Sequence, residues 1–170
     1  MARLETGRVQ IYTGDGKGKT TAALGLALRA TGYGLDVLFL QFAKKLRCAE
    51  HEAAERMGLR IEQATAATPE ACAAQILARA HEALGPCGGA DGTAPVDLLV
   101  LDELGAAMGR GFVTRGDVEA LVAARPATTE LVLTGRGLLD LADLADLVTE
   151  MRPVKHYFDE GLLARKGIEY

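Results

Sequence analysis

A glycine-rich segment close to the start of the chain has the residue types that bind phosphate. Residues 13–21 read Thr-Gly-Asp-Gly-Lys-Gly-Lys-Thr-Thr and follow a short β-rich run. Glycines at alternate positions let the backbone curl with its N–H groups pointing inward, and a helix that begins here adds unpaired N–H groups and a positive dipole end. A lysine at the end of such a loop reaches terminal phosphates, and the hydroxyl after it can ligate Mg²⁺. The segment therefore predicts a phosphate-binding loop.

The match to known phosphate-loop patterns is close but incomplete. In the pattern GxxxxGK[ST], Thr13 stands where the first glycine belongs, and Gly14 comes one residue late. The pattern GxGxxG fails because the three glycines are spaced by two, so a dinucleotide-binding fold is the weaker interpretation. Lys19 is expected to contact the phosphates and Thr20 to ligate the metal. The predicted nucleotide-binding residues are Thr13, Gly14, Asp15, Gly16, Lys17, Gly18, Lys19, Thr20 and Thr21.

Three further residues follow predicted strands and could act on the same phosphates. Asp102 ends the apolar run 98–101, which is the Walker B pattern of a carboxylate that holds Mg²⁺ at the edge of a sheet. Asp102 and Thr20 are therefore the predicted metal ligands. Glu103 either assists the metal or activates a water, or is solvated at the strand end. Arg136 either adds a second cation at the phosphates or is an exposed loop arginine.

Alternating strand and helix patterns indicate the elements that position these residues. We expect strands at 8–12, 37–42, 59–62, 96–101 and 130–134, and a last core strand at 147–151. Helices are expected at 19–31, 49–57 and 68–84, from a capping box at 114–117 to residue 125, and at 138–144. This alternation predicts an α/β fold over residues 1–170, in one domain, with a mostly parallel sheet and helices on both faces.

Helical periodicity gives predictions of burial. Leu24, Leu28 and Thr31 share one stripe of the first helix. His51 and His81 are expected on helix surfaces, without a second histidine at metal-ligand spacing.

Composition excludes several classes of function. The chain of 170 residues has no Trp and is only 5% aromatic, so a stacking platform for single-stranded nucleic acid is excluded. A net charge of -4 also argues against a nucleic-acid partner, although Lys44, Lys45 and Arg47 could steer an anionic ligand or simply be solvated. The three cysteines lack CxxC spacing, and no apolar run predicts a signal peptide or a membrane span. We therefore expect a cytoplasmic protein with free thiols.

Beyond the generic pattern, several motifs resemble one family. Residues 12–25 resemble the phosphate loop of the ATP:corrinoid adenosyltransferases, including the displaced first glycine. The run 101–104, Leu-Asp-Glu-Leu, is similar to the family's Walker B sequence, and 133–137, Leu-Thr-Gly-Arg-Gly, follows in the family's order. The chain end, from Val-Lys-His-Tyr-Phe-Asp at 154–159 to Lys-Gly-Ile-Glu at 166–169, also matches. The resemblance covers most of residues 7–46 and 97–170.

The resemblance implies a RecA-like P-loop NTPase fold and a transferase that is usually a homodimer. Such an enzyme uses Mg²⁺ and ATP to transfer the 5′-deoxyadenosyl group of ATP to the Co(I) of a reduced corrinoid, either cobalamin or a precursor, and releases triphosphate. Co(I) needs no general base, so the site must hold ATP in line and stabilise the leaving triphosphate. The predicted catalytic residues are Lys19, Thr20, Asp102, Glu103 and Arg136.

One part of the chain departs from the family. The family's Gly-Phe-x-Trp stretch has no counterpart between residues 47 and 97. Two alternatives therefore stay open: a diverged member that binds ATP without transferring its adenosyl group, and a P-loop ATPase that releases orthophosphate.

Overall fold

A single sheet of six strands supports the predicted loop. The computed structural model describes residues 3–42, 49–92 and 94–169. The strands are β1 (Val9–Thr13), β2 (Val37–Gln41), β3 (Arg60–Gln63), β4 (Leu98–Asp102), β5 (Glu130–Thr134) and β6 (Leu147–Glu150). They lie in the order β3-β2-β4-β5-β1-β6, and each neighbouring pair is parallel. The predicted α/β fold, with the architecture of a RecA-like P-loop domain, is confirmed.

Helices connect the strands, as parallel pairing requires. They are α1 (Lys19–Tyr33), α2 (Ala49–Met57), α3 (Pro69–Leu84), α4 (Leu104–Met108) and α5 (Arg115–Ala124), with 3₁₀ helices at Leu139–Leu144 and Tyr157–Glu160. The predicted capping box is present: the hydroxyl of Thr114 accepts a hydrogen bond from the N–H of Asp117, whose carboxylate accepts one in return. The short helix α4 was not expected from the sequence. No helix in the described ranges is long and apolar enough to cross a membrane.

Both faces of the sheet are covered, as the sequence predicted. Successive residues of a strand point to opposite faces. Phe39 and Val100 pack against the alanines of α1 and against α2, whereas Leu38 and Leu99 pack against α3, α4 and α5. The central strands β2 and β4 are buried over their whole length. They hold the strand ends in fixed positions.

The buried stripe of α1 differs from the predicted one. Ala23, Ala27 and Ala30 face the sheet, whereas Leu28 of the predicted stripe is 47% exposed. The buried residues continue the helical spacing of Lys19, which is itself buried. Turning Lys19 into the loop therefore places the alanines against the strands, where small side chains allow a close approach.

The predicted last core strand is an exposed edge strand. β6 pairs with β1 at the end of the sheet, and its four residues are exposed, with Leu147 47% and Val148 36% exposed. The strand exists, but its predicted burial is wrong. Its apolar residues could not reveal that it lies at the edge, because local pattern does not encode position in a sheet.

Candidate active site

The carboxyl ends of four parallel strands place four polar residues at one edge of the sheet. Thr13 ends β1, Gln41 ends β2, Asp102 ends β4 and Thr134 ends β5. All four are completely buried. Ligands of open parallel sheets bind at this edge, so the loops that follow these strands are the expected site of ligand binding.

The loop between β1 and α1 curls against the backbone of Met151. Gly14 has φ 95°, and Gly18, at the start of α1, has φ 117°. A Cβ atom on Gly14 would lie 2.5 Å from the carbonyl oxygen of Met151, and one on Gly16 would lie 2.7 Å from it. The N–H of Gly16 donates to the same oxygen at 2.7 Å. Gly14 is therefore required by both its φ and this close contact, Gly16 by the contact, and Gly18 by its φ.

The ammonium group of Lys19 lies inside the curl of the loop. It donates to the carbonyl oxygens of Gly14 and Gly16, each at 2.7 Å. Burial, and then the nearby charge of Arg136, lower the pKa of Lys19 below its ordinary value. An anion bound at this loop would offset both effects, as expected for a lysine placed to meet phosphate oxygens.

Asp102 is the centre of a buried hydrogen-bond network. Its Oδ1 accepts from the hydroxyls of Thr20 at 2.9 Å and Thr134 at 2.7 Å, and its Oδ2 accepts from Nε2 of Gln41 at 3.2 Å. A buried carboxylate needs such partners. The network ties the start of α1 to β4 and brings the two predicted metal ligands together.

Glu103 follows directly in a strained backbone conformation. With φ 59°, it is the one residue other than glycine with positive φ in the described part of the chain. Its N–H donates to the hydroxyl of Thr134 at 3.1 Å. Strain at a residue other than glycine persists where the surroundings enforce it, and it often accompanies function.

Arg136 approaches the loop from the end of β5. Its Nε lies 3.9 Å from Oδ1 of Asp15, and both side chains are largely exposed. The backbone beside it is fixed by contact with α4, because a Cβ on Gly105 would lie 2.1 Å from the carbonyl oxygen of Arg136. Arg136 is therefore held close to the loop with its side chain free to reorient.

A cavity of about 470 Å³ joins these parts. Residues 15–21 line one side, Glu103 and Arg136 line a second, and residues 156–157 and 167–169 of the chain end line a third. Polar groups thus converge on an open space large enough for a small molecule.

Comparison with known proteins assigns the family. The chain matches, over residues 5–170, the family described as ATP:corrinoid adenosyltransferase BtuR/CobO/CobP. The chain belongs to this family. It is 39% identical over 174 residues to the corrinoid adenosyltransferase CobA of Salmonella typhimurium, covering all of this chain and 89% of that protein. Corrinoid adenosyltransferases of Pseudomonas aeruginosa and Escherichia coli are 35% and 36% identical, again over this whole chain and over 87% and 89% of their own.

Within this adenosyltransferase fold, the predicted nucleotide-binding residues fall into two groups. Residues 15–21 line the cavity, whereas Thr13 and Gly14 lie outside its lining. The hydroxyl of Thr13 accepts a hydrogen bond from the N–H of Leu138 at 3.1 Å. Thr13 thus fixes the chain after β5. The basic residues 44, 45 and 47, which the sequence suggested for an anionic ligand, lie outside the described residues.

Sequence reasoning missed one buried residue behind the site. His51 was expected on a helix surface, but it is only 6% exposed, so that prediction is wrong. Its Nε2 lies 2.9 Å from Oε1 of Gln41, which also accepts from Nε2 of Gln63 at 3.1 Å. α2 is short and mostly polar, so its pattern gave no sign that His51 would turn towards the strand ends. The exposed position of His81 is confirmed.

The site supplies the oxygen donors that Mg²⁺ prefers. Thr20 offers a hydroxyl, and Asp102 and Glu103 offer carboxylates. No group of three or more His, Cys, Asp or Glu in the described ranges could hold a metal alone. Mg²⁺ commonly takes one or two carboxylates and completes its shell with water and substrate phosphates. Thr20 and Glu103 line the cavity, and Asp102 lies buried behind Thr20 and is bonded to it. These donors therefore fit Mg²⁺ that is held jointly with a nucleotide.

Proposed function

We propose that this protein transfers the 5′-deoxyadenosyl group of ATP to the Co(I) of a reduced corrinoid and releases triphosphate. Family membership over the whole chain supports the reaction. The observation that carries it is the placement of Lys19, with its ammonium inside the loop and facing the same cavity as Arg136. A leaving triphosphate needs positive charge beside it, and Lys19 and Arg136 both line this cavity.

The loop and its two cations would hold the phosphates. Free N–H groups at the start of α1 point towards an anion at the loop, and Lys19 adds a full charge. Arg136 is exposed enough to swing from Asp15 onto the phosphates. With the triphosphate fixed, the ribose 5′ carbon is presented to the incoming Co(I), which attacks without a general base. Displacement forms the cobalt–carbon bond as the carbon–oxygen bond to triphosphate breaks.

Thr20 and Asp102 would hold Mg²⁺, with Glu103 beside them. When bound, the ion neutralises charge on the triphosphate and so makes it a better leaving group. The hydrogen bond between Thr20 and Asp102 places both oxygens together before the ion arrives. A homodimeric state, a cytoplasmic location and the lack of a nucleic-acid partner stay predictions, supported by the resemblance and by composition.

Identification of both products tests the proposal. The purified protein is incubated with ATP, Mg²⁺ and chemically reduced cobalamin or a precursor corrinoid. We expect a light-sensitive adenosyl-corrinoid in the visible spectrum and triphosphate by ion-exchange chromatography. The variant Lys19→Met should lose about a hundredfold in kcat/KM, as do enzymes that lose one group stabilising transition-state charge.

A matched lysine variant controls for loss of charge in general. Lys155 is 83% exposed and pairs with Glu160 away from the cavity, so Lys155→Met should keep wild-type activity. Release of orthophosphate without an adenosyl-corrinoid would instead identify an ATPase. ATP binding without any product, with every corrinoid tried, would identify a nucleotide-binding protein that has lost the transfer step.

A further inference from the structure

The chain end returns across the phosphate loop after β6. We call residues 151–169 the C-terminal segment. At its start, the N–H of Met151 donates to the carbonyl oxygen of Thr13 at 2.8 Å, and its carbonyl accepts from Gly16 at 2.7 Å. These bonds fix the first residue of the segment to the loop backbone. One of the loop's backbone N–H groups, that of Gly16, is therefore bonded to the segment.

A second attachment lies at the far end of the segment. Nζ of Lys17 lies 3.4 Å from Oε1 of Glu169 and donates to the carbonyl oxygen of Ile168 at 3.1 Å. The side chain of Glu169 is only 16% exposed, although it is within the last few residues of the chain. Lys17 therefore faces the segment, while Lys19 faces the inside of the loop.

Glu169 also gathers the segment around itself. Its carboxylate accepts hydrogen bonds from the Tyr157 hydroxyl, from the backbone N–H of Arg165 at 2.7 Å, and from Nη2 of Arg165 at 3.2 Å. The guanidinium of Arg165 lies 5.2 Å from the centre of the Tyr157 ring. Arg165, and then Tyr157, hold the pKa of Glu169 well below its ordinary range. Glu169 is thus an anion that joins the two turns of the segment.

These contacts place the segment beside the nucleotide cavity. His156 and Tyr157 from the first turn, and residues 167–169 from the second, form one side of that cavity. If Glu169 were released, the second turn would lose its ion pair with Lys17 and its bond to Tyr157, and the bond from Lys17 to the carbonyl oxygen of Ile168 would remain. Glu169 therefore helps to position this side of the cavity, together with the bonds of Met151 and Ile168 to the loop.

We propose that Lys17 and Glu169 form a clamp that holds the C-terminal segment as a wall of the ATP site and thereby sets ATP affinity. The place of Lys17 in the loop suggested a phosphate ligand. In the clamp, Lys17 is instead a positioning residue. The clamp rests on one part of the proposed function, which is that ATP binds in this cavity. It makes Glu169 a determinant of ATP binding without contact with the triphosphate.

Four variants test the clamp: Glu169→Gln, Lys17→Met, the double variant, and Glu160→Gln as a control. Glu160 lies in the same segment and forms an exposed ion pair with Lys155 at 3.1 Å, away from the loop. Dissociation constants for Mg²⁺-ATP are measured by calorimetry. Trypsin cleavage after Arg165 and Lys166 is followed by mass spectrometry, since a released segment is cut faster. Steady-state kinetics separate KM for ATP from kcat.

The clamp predicts weaker ATP binding in both single variants. Glu169→Gln should raise the dissociation constant and KM for ATP about fivefold, as expected for loss of one partly exposed charged hydrogen bond, with kcat nearly unchanged. Lys17→Met should weaken binding at least as much, because it also loses the bond to Ile168. Each variant should speed cleavage of the segment, and the double variant should bind ATP no more weakly than Lys17→Met. Glu160→Gln should match the wild type in all three measurements.

Several results would overturn the clamp. One is normal ATP affinity in Glu169→Gln. Another is weaker binding in Lys17→Met alone, which would make Lys17 a phosphate ligand. Additive losses in the double variant would show two independent roles. Binding and cleavage need no corrinoid, so these measurements stand even where the transferase assay fails, and the two failures are distinguishable.

Discussion

At the residue scale, Glu103 combines a strained backbone with a place at the cavity. Its φ of 59° lies in the left-handed region, where a Cβ atom crowds the following carbonyl. In this conformation the N–H of Glu103 donates to the hydroxyl of Thr134. A glycine would adopt this conformation more easily, so a glutamate at this position lowers the stability of the fold.

Two substitutions at Glu103 separate strain from side-chain contacts. Both Glu103→Ala and Glu103→Gly remove the carboxylate, but only the glycine relieves the left-handed strain. We expect the glycine variant to be more stable than the alanine variant by about 1 kcal/mol in free energy of unfolding, measured with urea. Equal stability of the two variants would mean that the backbone at this position relaxes once the carboxylate is gone.

At the scale of elements, the contact between α4 and the end of β5 positions Arg136. A Cβ on Gly105 would lie 2.1 Å from the carbonyl oxygen of Arg136, and one on Gly135 would lie 2.4 Å from the N of Gly105. Two backbones meet here without a side chain between them. The turn that follows the buried Asp102 and the turn that bears Arg136 therefore form one unit.

We expect Gly105→Ala to push these two turns apart. The overpacking should lower the free energy of unfolding by about 1–3 kcal/mol and reduce ATP affinity by displacing Arg136. Gly25→Ala is the matched control, because a Cβ on Gly25 meets nothing within 4 Å in the middle of α1. That variant should be more stable by roughly 0.5–1 kcal/mol, since alanine favours a helix. Destabilisation by both variants would contradict the argument from contact.

The elements that depend on neighbouring residues in the sequence were predicted better than the features that depend on contacts between distant residues. The apolar runs of β2 and β4 and the cap at Thr114 are local, so their positions were predicted well. The exposure of β6 and the burial of His51 depend on neighbours distant in the chain, and both predictions failed. The phosphate loop was predicted from residue types and spacing, and its residues 15–21 line the cavity. The contact of Lys17 with the chain end had no local signal, because it spans 152 positions.

At the scale of the whole molecule, four carboxylates of the described residues join distant parts of the chain or fix a helix start and also have a lowered pKa. Asp146 accepts from the N–H of Val9 at the start of β1, and Asp143 pairs with Arg115 of α5 at 2.5 Å. The other two are Asp117 of the capping box and Glu169 of the clamp. Hydrogen bonds hold the pKa of each below its ordinary value: from Val9 for Asp146, Arg115 for Asp143, Thr114 for Asp117 and Arg165 for Glu169.

These shifts predict how the protein responds to acid. Because each folded-state pKa is depressed, the unfolded chain takes up protons first as the pH falls, and folding loses the contribution of these bonds. The free energy of unfolding, from urea titrations, should therefore be steady near neutral pH and decline from about pH 5 downward. Asp146→Asn keeps the shape of the side chain but cannot titrate, so its decline should be shallower than that of the wild type. An identical slope in this variant would mean that the bond from Val9 to Asp146 does not stabilise the folded state, and that the start of β1 is held by its strand pairing alone.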